Sequence, residues 1–155
     1  MRSLRRASTI VLVVLLLGAL LAPGALAEQP NKEVPLKGDF VGVGGDFSGN
    51  FSHLGRFEGV IDVNTFAAVW TAANGDTVTN QTIFFEIDFS DEVAPGVYPY
   101  EQTIVITGGT GRFTDAMGSA FIEGLVEVDL ATFEIGEYDG HLEGAITQPG
   151  PRRDK

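Results

Sequence analysis

Residues Thr103–Ala120 read TIVITGGTGRFTDAMGSA, and this stretch constrains the fold more than any other part of the chain. The β-branched run Thr103–Thr107 meets Gly108-Gly109-Thr110-Gly111. Arg112 and Phe113 follow, and the small residues Ala116–Ala120 lead into a second apolar run. β-Branched residues favour strands, and clustered glycines give the backbone freedom that a tight connection needs. The stretch therefore reads as strand, glycine turn, anchoring aromatic, strand. A phosphate loop does not fit, because neither Gly42–Gly45 nor Gly108–Gly111 is followed by Lys-Ser/Thr and a helical pattern.

The same alternation runs from Asp39 to Thr147, with no helical period and with Gly, Asn and Asp interrupting it at intervals. That is the pattern of an antiparallel all-β domain. A short strand is expected at Asp39–Val43, turned by Gly44-Gly45-Asp46. A long one follows over Phe51–Val63, with Phe51, His53, Gly55, Phe57, Gly59, Ile61 and Val63 on one face. Thr65–Ala72 carries Phe66, Ala68, Trp70 and Ala72 on one side. Asn74-Gly75 suits a type I′ hairpin. Thr77–Phe89 aligns Ile83, Phe85, Ile87 and Phe89, and Val97–Thr107 aligns Tyr98, Tyr100, Gln102, Ile104 and Ile106. Gly118–Leu130 aligns Ala120, Ile122, Gly124, Val126 and Val128. Thr132–Thr147 aligns Tyr138, Gly140, Leu142, Gly144 and Ile146, as two strands or one long bent one.

A short pattern recurs in Phe57-Glu58-Gly59, Ile122-Glu123-Gly124 and Leu142-Glu143-Gly144. Each puts Glu on one face and Gly on the other. Inward glycines leave room for bulky neighbours and permit tight coiling. Three of them predict a small closed antiparallel barrel of about eight strands, in which no edge is left unpaired. The alternation sends Glu58, Glu123 and Glu143 outward to solvent rather than into a carboxylate cluster.

Residues 1–27 carry the marks of a cleaved secretion signal: Arg2, Arg5 and Arg6, the apolar run Ile10–Leu21, and Ala25-Leu26-Ala27 before Glu28. Secretion or a periplasmic location is expected. Residues 28–37, with Pro30 and Pro35, read as a flexible lead-in, 38–147 as the barrel, and 148–155 as a disordered tail. The chain holds 10 Lys and Arg against 21 Asp and Glu, a net charge of −11, and loss of the leader's arginines makes the remainder more acidic. Nucleic acid and anionic membranes are poor partners for such a surface. There is no Cys, which excludes disulfides, thiol nucleophiles and thiolate metal sites. No cofactor and no metal is expected. The acidic stretches Asp88–Glu92 and Asp62-Val63-Asn64 are candidates for Ca²⁺, though neither has the spacing of an EF-hand. Asn50-Phe51-Ser52 and Asn80-Gln81-Thr82 match the glycosylation sequon, which matters only in a eukaryotic secretory pathway.

Gly108-Gly109-Thr110-Gly111-Arg112-Phe113, followed by Ala116-Met117-Gly118, resembles the G-G-T/S-G-x-F…A-x-G signature of the allene oxide cyclase and dirigent barrels. His53-Leu54-Gly55-Arg56-Phe57 and Thr71–Asp76 are similar to features of bacterial secreted proteins with that barrel. The resemblance spans roughly residues 40–146. It implies an eight-stranded barrel of calycin type with an apolar central cavity. Plant members guide cyclisation or radical coupling by shaping such a cavity. Their pocket carboxylates and cysteine have no counterpart here, so only turn glycines and a packing aromatic match.

No Ser/His/Asp or similar catalytic constellation is legible. The ligand-binding candidates are the inward residues His53, Trp70, Tyr98, Tyr100 and Gln102: an imidazole, an indole, two phenols and an amide. Such a wall could recognise a small hydrophobic molecule with one or two polar groups, or could simply fill a solid core. Three functions are open: a non-catalytic binding or structural barrel, an isomerase or cyclase acting by confinement, and a surface interaction module. Arg112 is expected over the surface, paired with an acid. Outward Phe84, Phe121 and Leu125 offer a surface for self-association.

Overall fold

The computed structural model describes residues 32–150. Eight antiparallel strands form one closed barrel: β1 (Glu33–Val43), β2 (Asp46–Phe51), β3 (Gly55–Asp62), β4 (Ala67–Ala72), β5 (Thr77–Ile87), β6 (Val97–Gly109), β7 (Gly118–Asp129) and β8 (Glu134–Thr147). Each strand pairs with its neighbour in sequence, and β1 pairs with β8 to close the ring. Closure gives every strand a partner on both sides over at least part of its length, which a domain without disulfides gains much from. The secretion signal expected at 1–27 lies outside the described residues.

Inward faces match the alternation on the C-terminal strands. Tyr98, Tyr100, Ile104 and Ile106 are buried on β6, Ala120, Ile122, Val126 and Val128 on β7, and Leu142 and Ile146 on β8. The last stretch is one strand. Glu58, Glu123 and Glu143 are exposed, as outward positions beside inward glycines should be.

The N-terminal half departs from the expected pattern. The lead-in is already strand from Glu33, with Leu36 among the most buried side chains. Pro35 is tolerated because it lies beyond the part of β1 paired with β2, which begins at Gly38. Its carbonyl accepts a bond from Ser52 Oγ on that same side, so its missing N–H breaks no ladder bond. The expected long strand at 51–63 is two strands, β2 and β3, broken at Ser52–Leu54. On β5 a bulge between Thr82 and Phe84 switches the alternation. Ile83, expected inward, is therefore exposed, while Phe85 and Ile87 face the same side as Val78, Asn80 and Thr82. The tail is ordered as far as residue 150: Gln148 N–H donates to the Lys32 carbonyl at 2.7 Å, and Gly150 N–H to the Arg112 carbonyl at 2.8 Å.

The two ends of the barrel differ. At one end the β6–β7 connection forms a single 3₁₀ turn, Gly111–Phe113. Phe113, Leu54 and Ala116 are all buried there and belong to the core, so they plug that end. Above them lies an aromatic layer. Phe51 and Phe57 rings sit 4.4 Å apart, and Trp70 packs edge-on to Phe51 at 5.0 Å. The turns β1–β2, β3–β4, β5–β6 and β7–β8 surround the other end.

Inward glycines make this filling possible. A Cβ on Gly140 would lie 2.5 Å from the Phe40 ring and 2.7 Å from the Tyr100 hydroxyl. Gly140→Ala should therefore overpack the core and cost about 1–3 kcal/mol, read as a fall of several degrees in melting temperature. An unchanged melting point would mean that the rings have room to move aside.

Candidate functional site

The open end of the barrel holds a cavity of about 600 Å³. Phe66 and Phe133 stand at its rim on the β3–β4 and β7–β8 turns. Phe85, Ile135 and Val126 form apolar walls, and Tyr100, Gln102 and Tyr138 supply polar groups. Below it a small internal cavity of about 50 Å³ reaches into the core between Trp70, Asn80 and Ile104. The two spaces share Ile61, Gln102 and Tyr138 as lining. The lower barrel is thus almost solid and the upper third is hollow. A wider depression of about 920 Å³ lies over β1–β4 outside the barrel, among Asp39, Asn50, Arg56 and Glu58. Those side chains are exposed, so it lacks the enclosure that ligand sites use.

The five candidate residues separate. Tyr100 and Gln102 face each other's neighbourhood on the mouth wall, as expected from their alternation. Trp70 lines the inner cavity. Tyr98 is buried, but its ring packs against Phe89 at 5.1 Å and its hydroxyl donates to Glu92 at 3.4 Å, tying it to the β5–β6 loop. His53 does not face the interior. It sits at the plugged end, exposed, in the turn between β2 and β3 with φ of 68°. The strand alternation that placed it inward does not hold, because the chain turns at Ser52–Leu54. Its carbonyl accepts from Arg112 Nη1 at 3.4 Å, and Arg112 Nε donates to the Gly150 carbonyl at 3.0 Å. Arg112 therefore braces two backbone segments rather than pairing with an acid.

Burial raises the pKa of both mouth phenols. Tyr138 is pushed up to about 12, with the nearby Asp46 charge adding to the effect. Tyr100 moves in the same direction, chiefly from burial and then from Tyr138 and Asp139. Both remain neutral O–H donors at physiological pH. Gln102 Nε2 donates to Thr82 Oγ1 at 2.6 Å, which fixes the amide. Glu134 is the one charged residue lining the mouth.

The alternation misses the buried amide of Asn80, the rim position of Phe133 and the turn conformation of Phe66, which it places on a strand face with Trp70. Asn80 is 4 % exposed, and its Nδ2 has no hydrogen-bond partner. Its burial also removes Asn80-Gln81-Thr82 as a sequon in the folded chain. Phe66 and Phe133 have φ of 56° and 57°, the left-handed region that bulky residues avoid. Both end the same five-residue turn, Asp62-Val63-Asn64-Thr65-Phe66 and Asp129-Leu130-Ala131-Thr132-Phe133. Phe66 N–H donates to the Asp62 carbonyl at 2.7 Å, and Phe133 N–H to the Asp129 carbonyl at 2.6 Å. Asp62 Oδ1 accepts from Asn64 N–H and Asp129 Oδ1 from Ala131 N–H, each at 2.8 Å. This D-x-x-T-F repeat was readable in the sequence and would have marked both rim residues.

The acidic stretches serve the turns. Asp88 Oδ1 accepts from the Ser90 hydroxyl at 2.6 Å and from its N–H at 2.9 Å, and these bonds lower its pKa. Among the described residues no group of three or more His, Asp or Glu is placed to hold a metal ion.

A polar cluster lies outside, on the β1–β8 seam. His141 Nδ1 is 2.6 Å from Asp39 Oδ1, and Lys37 Nζ is 2.8 Å from Glu143 Oε1. The bond to Asp39 raises the His141 pKa above its ordinary value, and Glu143 adds to it. A raised folded-state pKa stabilises the fold fully below the unfolded value of about 6.5, and that gain is lost as pH rises through the folded value. The wild type should therefore lose a little thermal stability relative to His141→Gln as pH rises above about 6.5. Screening at this exposed seam keeps the effect small. A difference that grows with pH would contradict the pairing.

Comparison with protein-family models, curated proteins and solved structures finds no match to this chain.

Proposed function

We propose that this chain is an exported, non-catalytic barrel that takes one small hydrophobic molecule into its open end. The observation that carries this reading is the roughly 600 Å³ apolar cavity above a plugged, solid base. Its volume falls within the range of small-molecule sites, about 300–1,000 Å³. Gln102 and Tyr138 sit where the mouth meets the inner cavity, placed to orient an occupant rather than attack it. The resemblance to allene oxide cyclase and dirigent barrels, and the signal-like leader, support the same picture.

Titration with the fluorescent probe 1-N-phenylnaphthylamine tests this. The expected result is saturable enhancement at one probe per chain, abolished by Val126→Trp with the far-UV spectrum unchanged. No saturable enhancement would count against a ligand-binding barrel.

A second reading, an isomerase or cyclase acting by confinement, draws on the resemblance and on the two neutral phenols at the mouth. It requires turnover of an epoxide-bearing substrate that Tyr138→Phe removes without changing probe affinity.

A further inference from the structure

We infer that the floor of the mouth is a hydrogen-bond donor subsite centred on Asn80, and that it selects a neutral, largely apolar molecule with a carbonyl-type acceptor at one end. This rests on the reading of the mouth as a ligand site and goes on to define what enters it.

A buried polar group without a partner is costly, and native interiors hold few of them. Asn80 Nδ2 is one, on a residue 4 % exposed that lines the inner cavity. Asn80 lies on β5 between Ala68 of β4 and Ile106 of β6. Most of the side chains lining the cavity with it are apolar, Gln102 and Tyr138 excepted, and a Val in its place would suit the strand better. The unmet group is a donor, so its complement is an acceptor. The inner cavity of about 50 Å³ has room for a carbonyl group but not for a chain. Its lining meets that of the mouth at Gln102 and Tyr138. An occupant therefore lies with its apolar body among the rim aromatics and its oxygen passing between those two residues towards Asn80.

Charge decides which acceptor. No cationic side chain lines either space, and the one charged residue at the mouth is Glu134. A carboxylate would be buried without a counter-ion, which is far costlier than burying a neutral carbonyl. Tyr100 adds a neutral donor along the path, while the Tyr138 hydroxyl already donates to the Asp46 carbonyl at 3.5 Å. The class that fits is a ketone, ester or aldehyde on a hydrocarbon body, and not a fatty acid anion.

The test uses probes of equal length, 2-nonanone, nonane and nonanoate, the two volatile ones measured by headspace partitioning and the anion by equilibrium dialysis. Wild-type protein should bind 2-nonanone about tenfold or more tighter than Asn80→Val does, the size expected when a stranded donor finds its acceptor. Nonanoate should bind at least tenfold more weakly than the ketone. Asn80→Val should keep nonane binding, weaken the ketone alone, and melt no lower than wild type. The carbonyl stretch of bound 2-nonanone should shift to lower frequency in wild type and not in Asn80→Val. Equal 2-nonanone affinity in wild type and Asn80→Val would overturn the subsite, with a trapped water meeting Nδ2, and would leave the apolar pocket standing. Tighter binding of nonanoate would overturn the neutral class. Binding of none of the three would remove the ligand-site reading itself.

Discussion

Phe113→Ala should lower the free energy of unfolding by about 3–5 kcal/mol, the cost of deleting a buried aromatic. A loss of that size is a large share of the 5–15 kcal/mol typical of a folded domain. Phe113 is 2 % exposed and follows directly from the glycine turn. The chain is pinned there from several sides. Thr110 N–H donates to the Thr77 carbonyl at 2.9 Å, Thr110 Oγ1 accepts from Thr77 N–H at 3.1 Å, and Asp76 Oδ2 accepts from Arg112 N–H at 3.3 Å. Gly109 has no room for a Cβ, which would fall 2.9 Å from that of Phe113. The ring thus closes one end of the barrel under a rigid lid. Phe133→Ala, at the other end, removes a side chain that is 74 % exposed and should cost under about 1 kcal/mol. Urea unfolding of the two variants measures the contrast. Similar costs at the two ends would mean that the barrel is not organised as a plug and a mouth.

Leu54, one large part of the plug, was not legible in the sequence; the β6–β7 turn and its Phe113 anchor were, because every local signal there agreed: β-branched run, turn glycines, aromatic. The same holds for β6, β7 and β8, where long strands repeat the inward period many times over. β2 was not legible. Asp46–Phe51 reads DFSGNF, and its inward positions are Phe47, Gly49 and Phe51. With glycine in the middle, too little of the alternation is left to separate a strand from a turn. Missing β2 merged it with β3 and carried His53 to the wrong face. The bulge at Ile83 left no trace either, since an inserted residue changes the register of a ladder and not the composition of a strand. Asn80 escaped for a different reason. An alternation argument sorts apolar residues inward, and a buried amide violates the rule it uses. Departures of that kind are expected at functional positions.

The two rim phenylalanines offer the strongest separation of stability from binding. A left-handed backbone costs a bulky L-residue roughly 1–2 kcal/mol, and Asn tolerates it far better. Phe133 gains little burial in return, so Phe133→Asn should stabilise the fold by about 1 kcal/mol. Phe66 is 41 % exposed, and its ring packs 6.1 Å from that of Phe85. Phe66→Asn should be close to neutral, relief of strain offsetting the lost contact. The turns that carry them are four strands apart in an eight-stranded ring, hence on opposite sides of the mouth. Two rings held in a strained conformation across an opening fit the use of such strain at ligand clamps. Each ring should contribute about 1 kcal/mol to an apolar occupant. The double variant Phe66→Asn/Phe133→Asn should therefore bind 1-N-phenylnaphthylamine some tenfold to a hundredfold more weakly, while melting at or above the wild-type temperature. If the double variant kept its affinity and merely became more stable, the strain at these turns would have no part in binding. If it lost stability instead, the rings would belong to the core, and the mouth would be narrower than its walls suggest.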